Sequence, residues 1–460
     1  MEIICDKNLC TGCGTCNDVC PKSAIAMKLD GEGFLYPVID QSLCIDCKLC
    51  TKTCPINHPE CVRANELCDV DVHEGWALNE DIRKKSSSGG IFGQLAFDLL
   101  NTEEWKVAGV AFNGKRAFHK LISKTDDLEV LQNTKYVQSD TSAIYHDVLI
   151  ELSHGMNILF SGTPCQVAGC YSFLKGKSYS GKLLTIEVVC HGVPSYLVLD
   201  KSIEYNNAKK VISFRNKSQG WGYCSQQITY GTKCSELPTP PIPREKDLFY
   251  RFFFSKKVLR KSCYQCPFAR FPRVADITIG DSWGTTNPSK EERWKGLSLV
   301  IANNKEAYNL LNKVKNIHLR EIGWFTEIQI NRNLYTSFPP FAYIEERKDG
   351  HYIQNKVTSL DCGKFLNETK LGYLEKKFTD SLIRKVVRKV CNKVFFRVAS
   401  DGDLRKMSYI RLRIILATII MRGKTSLLPS EHELAKKFAD ITEQIYAAKH
   451  NYKTFIDRFK

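Results

Sequence analysis

Residues 256–284 read KKVLRKSCYQCPFARFPRVADITIGDSWG. Cys263 and Cys266 stand in a C-x2-C pair at the end of a basic run that reads as helical. An Arg/Pro-rich turn then leads to an apolar strand over Asp276 to Ile279. That strand stops at Gly280-Asp281-Ser282-Trp283-Gly284, where polar and aromatic groups meet two glycines. A metal-ligand pair feeding a strand that opens into a glycine-flanked loop is the layout of a cofactor site in an α/β sheet.

Working upstream, strand-like runs at Lys106 to Phe112 and Phe118 to Ser123 precede a helical stretch and the segment Asn133 to Ser139. The buried strand Asn157 to Phe160 breaks at Ser161-Gly162-Thr163-Pro164-Cys165-Gln166, and a helix resumes at Val167. Leu183 to Val189 ends in the same manner at Cys190-His191-Gly192-Val193-Pro194-Ser195. Each strand delivers a cysteine to its carboxyl end, where open α/β sheets place their ligands. Cys165, Cys190, Cys263 and Cys266 then form a set of four, which suits a [4Fe-4S] cluster, a four-thiolate zinc site or a coincidence of isolated thiols. His191, beside Cys190, is the candidate catalytic proton donor, with a hydrogen-bonding role behind the ligands as its alternative.

The first sixty residues contain a repeat. Cys10-x2-Cys13-x2-Cys16-x3-Cys20-Pro21 recurs 34 positions later as Cys44-x2-Cys47-x2-Cys50-x3-Cys54-Pro55, and Asp6 and Leu9 match Asp40 and Leu43. This is the bacterial two-cluster ferredoxin run, in which three closely spaced thiolates hold one cubane and the fourth reaches the other. Cys10, Cys13, Cys16 and Cys54 are expected to hold one [4Fe-4S] cluster, and Cys44, Cys47, Cys50 and Cys20 the other. Gly12 and Gly14 are expected to let backbone N–H groups approach the sulfides. With two carriers upstream, iron–sulfur is favoured over zinc for the later set, because an electron relay gains nothing from a redox-silent ion. Isolated thiols such as Cys5, Cys170, Cys362 and Cys391 read as inert.

Pro59 to Val72 reads as a linker. Ser86-Ser87-Ser88-Gly89-Gly90, preceded by Arg83-Lys84-Lys85, leads into an apolar helical run over Ile91 to Leu100. That combination is either an anion cradle for a phosphate or pyrophosphate or simply a helix cap. Asn331 to Gly350 reads as a boundary. From Ser381 to Lys460 there are 18 Lys/Arg against 7 Asp/Glu, so +11 of the chain's +16 lies in the last eighty residues. A helix over Leu382 to Val398, apolar on one face and basic around the rest, suits an anionic membrane surface or an acidic partner. A solvated face over a packed core fits it equally. Nucleic-acid binding is disfavoured, since no base-reading motif accompanies the charge. There are 20 cysteines in short-spaced clusters and no amino-terminal apolar leader in a chain of 460 residues, which implies metal or redox chemistry in a reducing cytoplasm.

The ordered series S-S-S-G-G at 86–90, K-Y-V-Q-S at 135–139, G-T-P-C-Q at 162–166, C-H-G-V-P-S at 190–195 and C-Y-Q-C with I-G-D-S-W-G resembles the beta-subunit family of coenzyme F420 hydrogenase/dehydrogenase. The resemblance implies an FAD-containing iron–sulfur flavoprotein. It implies Cys165, Cys190, Cys263 and Cys266 as ligands of an extra cluster, and Ser87, Ser88, Gly89, Gly90, Lys135, Gln138 and Thr163 as the flavin lining. The expected architecture is α+β, with a dicluster ferredoxin domain at 1–60, an α/β flavin domain at 75–330 and a basic, mainly helical region at 350–460. The expected function is electron transfer from a ferredoxin-type donor through the clusters and FAD to an organic acceptor. Coenzyme F420, another small molecule or a glycan-pathway substrate are the acceptor classes. The alternative is a non-catalytic subunit that wires a partner enzyme to ferredoxin.

Overall fold

The two cysteine runs fold as near copies because their flanks do the same local work. Asp6 accepts the Asn8 N–H on Oδ1 at 2.8 Å and the Cys10 N–H on its carbonyl at 2.9 Å; Asp40 does the same for Ser42 at 2.9 Å and Cys44 at 3.1 Å. Each run then enters a one-turn helix, Thr15–Asp18 or Leu49–Lys52, and the antiparallel hairpin of Ile25–Leu29 with Leu35–Ile39 lies between them. This computed structural model describes residues 3–322 apart from 63–64, 66–70, 233–236, 271 and 284–287. Except for Trp283, those residues belong to one compact unit.

Among the described residues the main sheet runs Ile317–Glu321, Asp71–Ala77, Ser298–Ala302, Ile277–Asp281, Leu183–Val188, Asn157–Gly162, Trp105–Phe112, Ala117–Ile122, Ser139–Asp140. The four central strands, from Ile277–Asp281 to Trp105–Phe112, are parallel to one another. Parallel strands are covered on both faces, which is why they read as continuous apolar runs. Alternate residues divide between the faces: Leu159 packs with the helix Ile91–Leu100, whereas Ile158 and Phe160 pack with the helices Ile144–Ser153 and Pro164–Leu174. A smaller sheet of Ala208–Ser213, Gln227–Thr232 and Ile242–Pro243 lies beside the helix Leu248–Ser255 in the chain.

The basic run before Cys263 is not an α-helix. Helix Leu248–Ser255 ends at Lys256, whose φ of 60° is left-handed. The chain then extends, bridging Leu259 to Pro194 and donating the Arg260 N–H to the Val193 carbonyl at 2.9 Å, before a 3-10 turn at Lys261–Gln265. Tertiary pairing with the Cys190 loop thus overrides the local pattern. Thr125–Leu131, within the expected helical stretch, is likewise a 3-10 turn. The helix expected from Val167 begins at Pro164, because Thr163 and Gln166 form a reciprocal capping box and proline suits the first turn. Asn65, inside the expected linker, is buried and donates to the carbonyls of Arg273 and Ala275, both at 2.9 Å. The expected boundary at Asn331 to Gly350 and the basic region at 350–460 lie outside the described residues. Among the described residues no helix is long and apolar enough to cross a membrane.

One buried ion pair holds the site's strands in place. Arg273, seven residues after Cys266, meets Glu187, three residues before Cys190, and both side chains are almost wholly buried. Glu187 also accepts the Thr278 hydroxyl at 3.0 Å. Breaking a buried pair from one side leaves an uncompensated charge, so Arg273→Met is expected to cost about 3–5 kcal/mol, and Arg273→Met with Glu187→Leu to recover part of that. Denaturation midpoints of the two variants check this; equal losses in both would remove the pair from its proposed role.

Candidate functional site: three cysteine sets

The first set encloses a cavity of about 340 Å3, open to solvent, lined by Cys10, Cys13, Cys16 and Cys54 together with Cys5 and Thr11. A second cavity of about 370 Å3 is lined by Cys20, Cys44, Cys47 and Cys50. Both groupings take three cysteines from one run and one from the other. Donors surround the first set: the Thr15 hydroxyl lies 3.4 Å from Cys13 Sγ, Arg260 Nη2 lies 3.5 Å from Cys10 Sγ, and the Ile56 and Asn57 amides face Cys54. The Thr11 hydroxyl is buried with no protein partner and lines the same cavity, as a donor to an inorganic sulfide would be.

The third set gathers at the carboxyl end of the parallel strands. Cys165 opens the helix Pro164–Leu174, Cys190 follows the strand Leu183–Val188, and the Cys190 loop presses on Cys263 so closely that a Cβ on Gly192 would sit 3.0 Å from the Cys263 Cβ. Gly192 has φ of 91°, so glycine is needed there twice over. Every sulfur in the set has a hydrogen-bonding neighbour. Thr163 Oγ1 lies 3.1 Å from Cys165, the Gly192 N–H points to Cys190 at 3.3 Å, the Val193 amide faces Cys263, and the Phe268 and Ala269 amides face Cys266. Burial, reinforced by the neighbouring thiols, pushes Cys190 up to about 11 and Cys263 up to about 12. Thiols so placed ionise when a cation binds them. Among the described residues no three His, Cys, Asp or Glu side chains close around a single ion, and that includes the eight cysteines of the two runs.

The first set is docked on the sheet domain and the second faces out. Thr141 Oγ1 and Tyr145 Oη both donate to the Cys13 carbonyl at 2.7 Å, and Gln138 Nε2 donates to the Gly12 carbonyl at 3.1 Å. Asp18 accepts the Ala143 and Tyr145 amides at 2.8 and 3.0 Å, and so caps the helix Ile144–Ser153 across the domain boundary. Gly169, one turn after Cys165, would place a Cβ 2.6 Å from Thr15 Oγ1 and 3.2 Å from the Cys13 Cβ. Around the second set, by contrast, Leu43, Ile45, Cys47 and Leu49 are exposed.

Gly12 and Gly14 therefore serve docking. A Cβ on Gly12 would meet Gln138 Nε2 at 2.2 Å, and one on Gly14 would meet Thr141 Oγ1 at 2.1 Å. Their repeat partners Asp46 and Lys48 hold the same left-handed backbone, with φ of 51° and 60°, but are exposed and can carry side chains.

The expected flavin residues do not share one surface. Ser87 Oγ donates to Asn133 Oδ1 at 2.6 Å, Ser88 Oγ donates to the Leu297 carbonyl at 2.5 Å, and the Gly89 amide donates to Ser298 Oγ at 2.9 Å. A Cβ on Gly89 would lie 2.4 Å from the Gly75 carbonyl, and one on Gly90 would lie 3.2 Å from the Ala77 Cβ, so both glycines are packed against neighbouring protein. Lys135 is turned to the carbonyls of Leu131 and Gln132 at 3.0 and 2.6 Å, closing the 3-10 turn, and burial lowers its ammonium to about 7. Gln138 belongs to the docking surface of the first set and Thr163 to the third set. As they stand, these seven residues do not fit a common FAD cradle. His191 is exposed and lies beside Phe253, with ring centroids 6.4 Å apart.

Sequence reasoning missed Cys5, Thr11, Tyr145, Gly169 and Arg260. Cys5, read as inert, lines the same cavity as Cys10 and Cys54. Cys170, also read as inert, is wholly buried in the apolar core.

These features define an iron–sulfur electron-transfer protein. Residues 9–58 match the 4Fe-4S dicluster domain, and residues 155–323 match the family described as the C terminus of the beta subunit of coenzyme F420 hydrogenase/dehydrogenase. The chain is thus related to the F420 hydrogenase beta subunit and carries a dicluster domain ahead of that homologous segment. Among solved structures, a chain of the xenon-derivatised F420-reducing [NiFe] hydrogenase complex from Methanosarcina barkeri aligns at 16% identity, covering 64% of this chain and 96% of that one, with a TM-score of 0.41. That likeness is too loose to add to the assignment. No curated protein matches the chain.

Gly14→Ala is expected to cost about 1–2 kcal/mol for the left-handed Cβ and about 1–3 more for the clash with Thr141. Lys48→Ala, at the repeat-related exposed position, should change stability by less than about 0.5 kcal/mol. Thermal denaturation of anaerobic protein checks the contrast, and similar losses at both positions would mean that docking does not require the glycine.

Proposed function

We propose that the chain is an iron–sulfur oxidoreductase that accepts single electrons at an outer cluster, passes them through an inner one and a third, and delivers them to an organic acceptor near the carboxyl edge of the sheet. Cys20, Cys44, Cys47 and Cys50 would hold the outer cluster. Cys10, Cys13, Cys16 and Cys54 would hold the inner one, and Cys165, Cys190, Cys263 and Cys266 the third. The observation that carries the reading is the docking of the Cys13 loop on the helix that Cys165 opens: Tyr145 Oη lies 2.7 Å from the Cys13 carbonyl and 3.1 Å from the Gln166 carbonyl and shares its one proton between them. The inner set is thereby held next to the third, and the exposed set is left for a partner.

Clusters carry one electron each, and a flavin when bound would collect them in pairs for an acceptor such as coenzyme F420, another small molecule or a glycan-pathway substrate. Because the seven expected residues do not form its cradle, the reading rests on the cysteines. Anaerobic protein should contain about twelve irons, and Cys263→Ser with Cys266→Ser should leave about eight. Zinc in the third set with about eight irons would remove that cluster from the path. Absence of flavin from the same preparation, after reconstitution with FAD and FMN, would favour the wiring-subunit reading over the enzyme.

The donor is proposed to be an acidic protein of the ferredoxin type. Exposed Leu43, Ile45 and Leu49 supply an apolar centre, and exposed Lys22, Lys48 and Lys52 outnumber Asp40 and Asp46 around it. Such a rim steers an acidic partner and makes the encounter salt-sensitive. Reversing the three lysines to glutamate should slow reduction by ferredoxin at least tenfold and leave the final extent of reduction by excess dithionite unchanged. Unaltered ferredoxin kinetics would move the docking site elsewhere.

A further inference from the structure

Four arginines are deeply buried among the described residues: Arg83, Arg215, Arg260 and Arg273. Three of them meet a carboxylate, Arg83 with Glu292, Arg215 with Asp281 and Arg273 with Glu187. Arg260, wholly inaccessible, has no carboxylate partner among the described residues. Its Nε donates to the Cys10 carbonyl at 2.7 Å, its Nη1 donates to the Leu35 carbonyl at 2.8 Å and to Gln138 Oε1 at 3.2 Å, and its Nη2 reaches Cys10 Sγ at 3.5 Å. The guanidinium also lies over the Tyr36 ring, 3.9 Å from its centroid. An ion stripped of water is strongly penalised unless an opposite charge compensates it. Neutral carbonyls and a ring face share the hydrogen bonds but supply no counter-charge. The place for one is the sulfur of Cys10.

We infer that Arg260 is the built-in counter-cation of the inner cluster and sets its potential above the value the same ligands would give alone. The inference rests on the reading of Cys10, Cys13, Cys16 and Cys54 as ligands. Four thiolates make a [4Fe-4S] centre anionic, and reduction adds one electron and one further negative charge to it. A fixed cation against one thiolate therefore favours the reduced form more than the oxidised one. The same residue reaches the third set through its backbone: its N–H is bound to the Val193 carbonyl and its carbonyl accepts the Cys263 N–H, both at 2.9 Å. Arg260 is thus a positioning residue whose main chain frames Cys263 and whose side chain holds Cys10. Among the described residues the outer set has no counterpart. Cys44, the repeat partner of Cys10, lies among exposed residues.

The test is an EPR-monitored redox titration of the anaerobic full-length protein, with iron content measured alongside. Arg260→Met removes the charge and keeps much of the bulk, whereas Arg260→Lys keeps the charge. In the methionine variant one cluster signal should titrate at lower potential, with at least a tenfold fall in its reduced-to-oxidised ratio at a fixed potential, equivalent to about 59 mV for a one-electron couple. The lysine variant should recover most of the shift, and the signal of the outer cluster, which Arg260 does not touch, should not move. Unchanged midpoints in the methionine variant with full iron would overturn the inference. If the methionine variant loses iron, Arg260→Gln is titrated in its place under the same criterion. Loss of iron from the lysine variant as well would reduce Arg260 to a packing role. Wild-type iron content in a variant with both Cys5→Ala and Cys10→Ala would instead sink the ligand assignment beneath it.

Discussion

The contact on which the arrangement depends is the approach of the Cys10 to Thr15 loop to the sheet domain. The Cys13 carbonyl receives two hydroxyl donors, from Thr141 and Tyr145, each at 2.7 Å. A carbonyl has two lone pairs, so this one is saturated by groups more than 120 residues away in the chain. Such closeness forbids side chains at positions 12 and 14, and the left-handed backbone there suits glycine as well. Local conformation and tertiary contact therefore select the same residue. Agreement of that kind marks a contact the whole fold supports rather than one it tolerates.

From a symmetric repeat the contact makes two unequal sites. Asp6 and Asp40 shape their turns in the same way, and both runs enter one-turn helices through a left-handed residue. The first run is built into an interior, with Thr15 wholly buried and Cys13 nearly so, whereas Cys47 is exposed. Identical ligand spacing then gives different surroundings, and surroundings are what tune such centres: hydrogen bonds to sulfur, nearby charge and access of water. An inward member with a buried cation beside it and an outward member in contact with solvent are suited to different positions in one relay.

How far the site is legible in the sequence follows from the range of the interactions involved. Ligand spacing in the first sixty residues is local, and so are the strands over Asn157–Gly162 and Leu183–Val188, where mainly apolar runs lead to a glycine or a cysteine. Those readings needed no knowledge of distant residues. The basic run before Cys263 did: it is extended because Leu259 and Arg260 pair with Pro194 and Val193, and nothing in its own composition says so. The Ser86 to Gly90 loop is ambiguous for a related reason. Small hydroxylated residues at a helix start suit an anion or a neighbouring backbone equally, and here Leu297 and Ser298 take the contacts. Lys135 and Gln138, three residues apart in one motif, point to different places, one to a 3-10 turn and the other to Gly12. The smallness of Gly12 and Gly14 is legible in the sequence, but their packing partners, Gln138 and Thr141, are set only by the fold.

Arg260 shows where sequence reading stops and charge accounting begins. A basic residue in a Lys/Arg-rich run looks like one of many surface cations, and the run around it contains Lys256, Lys257 and Lys261. Only burial separates it from them. Among the buried arginines, those that meet carboxylates need nothing further to explain their charge, since each pair closes its own balance within the protein. The balance at Arg260 is left open toward Cys10, on the side where the dicluster domain meets the third cysteine set. Because Tyr145, Asp18 and Gly169 fix the spacing between those sets through rigid packing and hydrogen bonds, distance is the less adjustable quantity in this part of the molecule. Charge is the quantity a single side chain can set, and Arg260 is the side chain placed to set it.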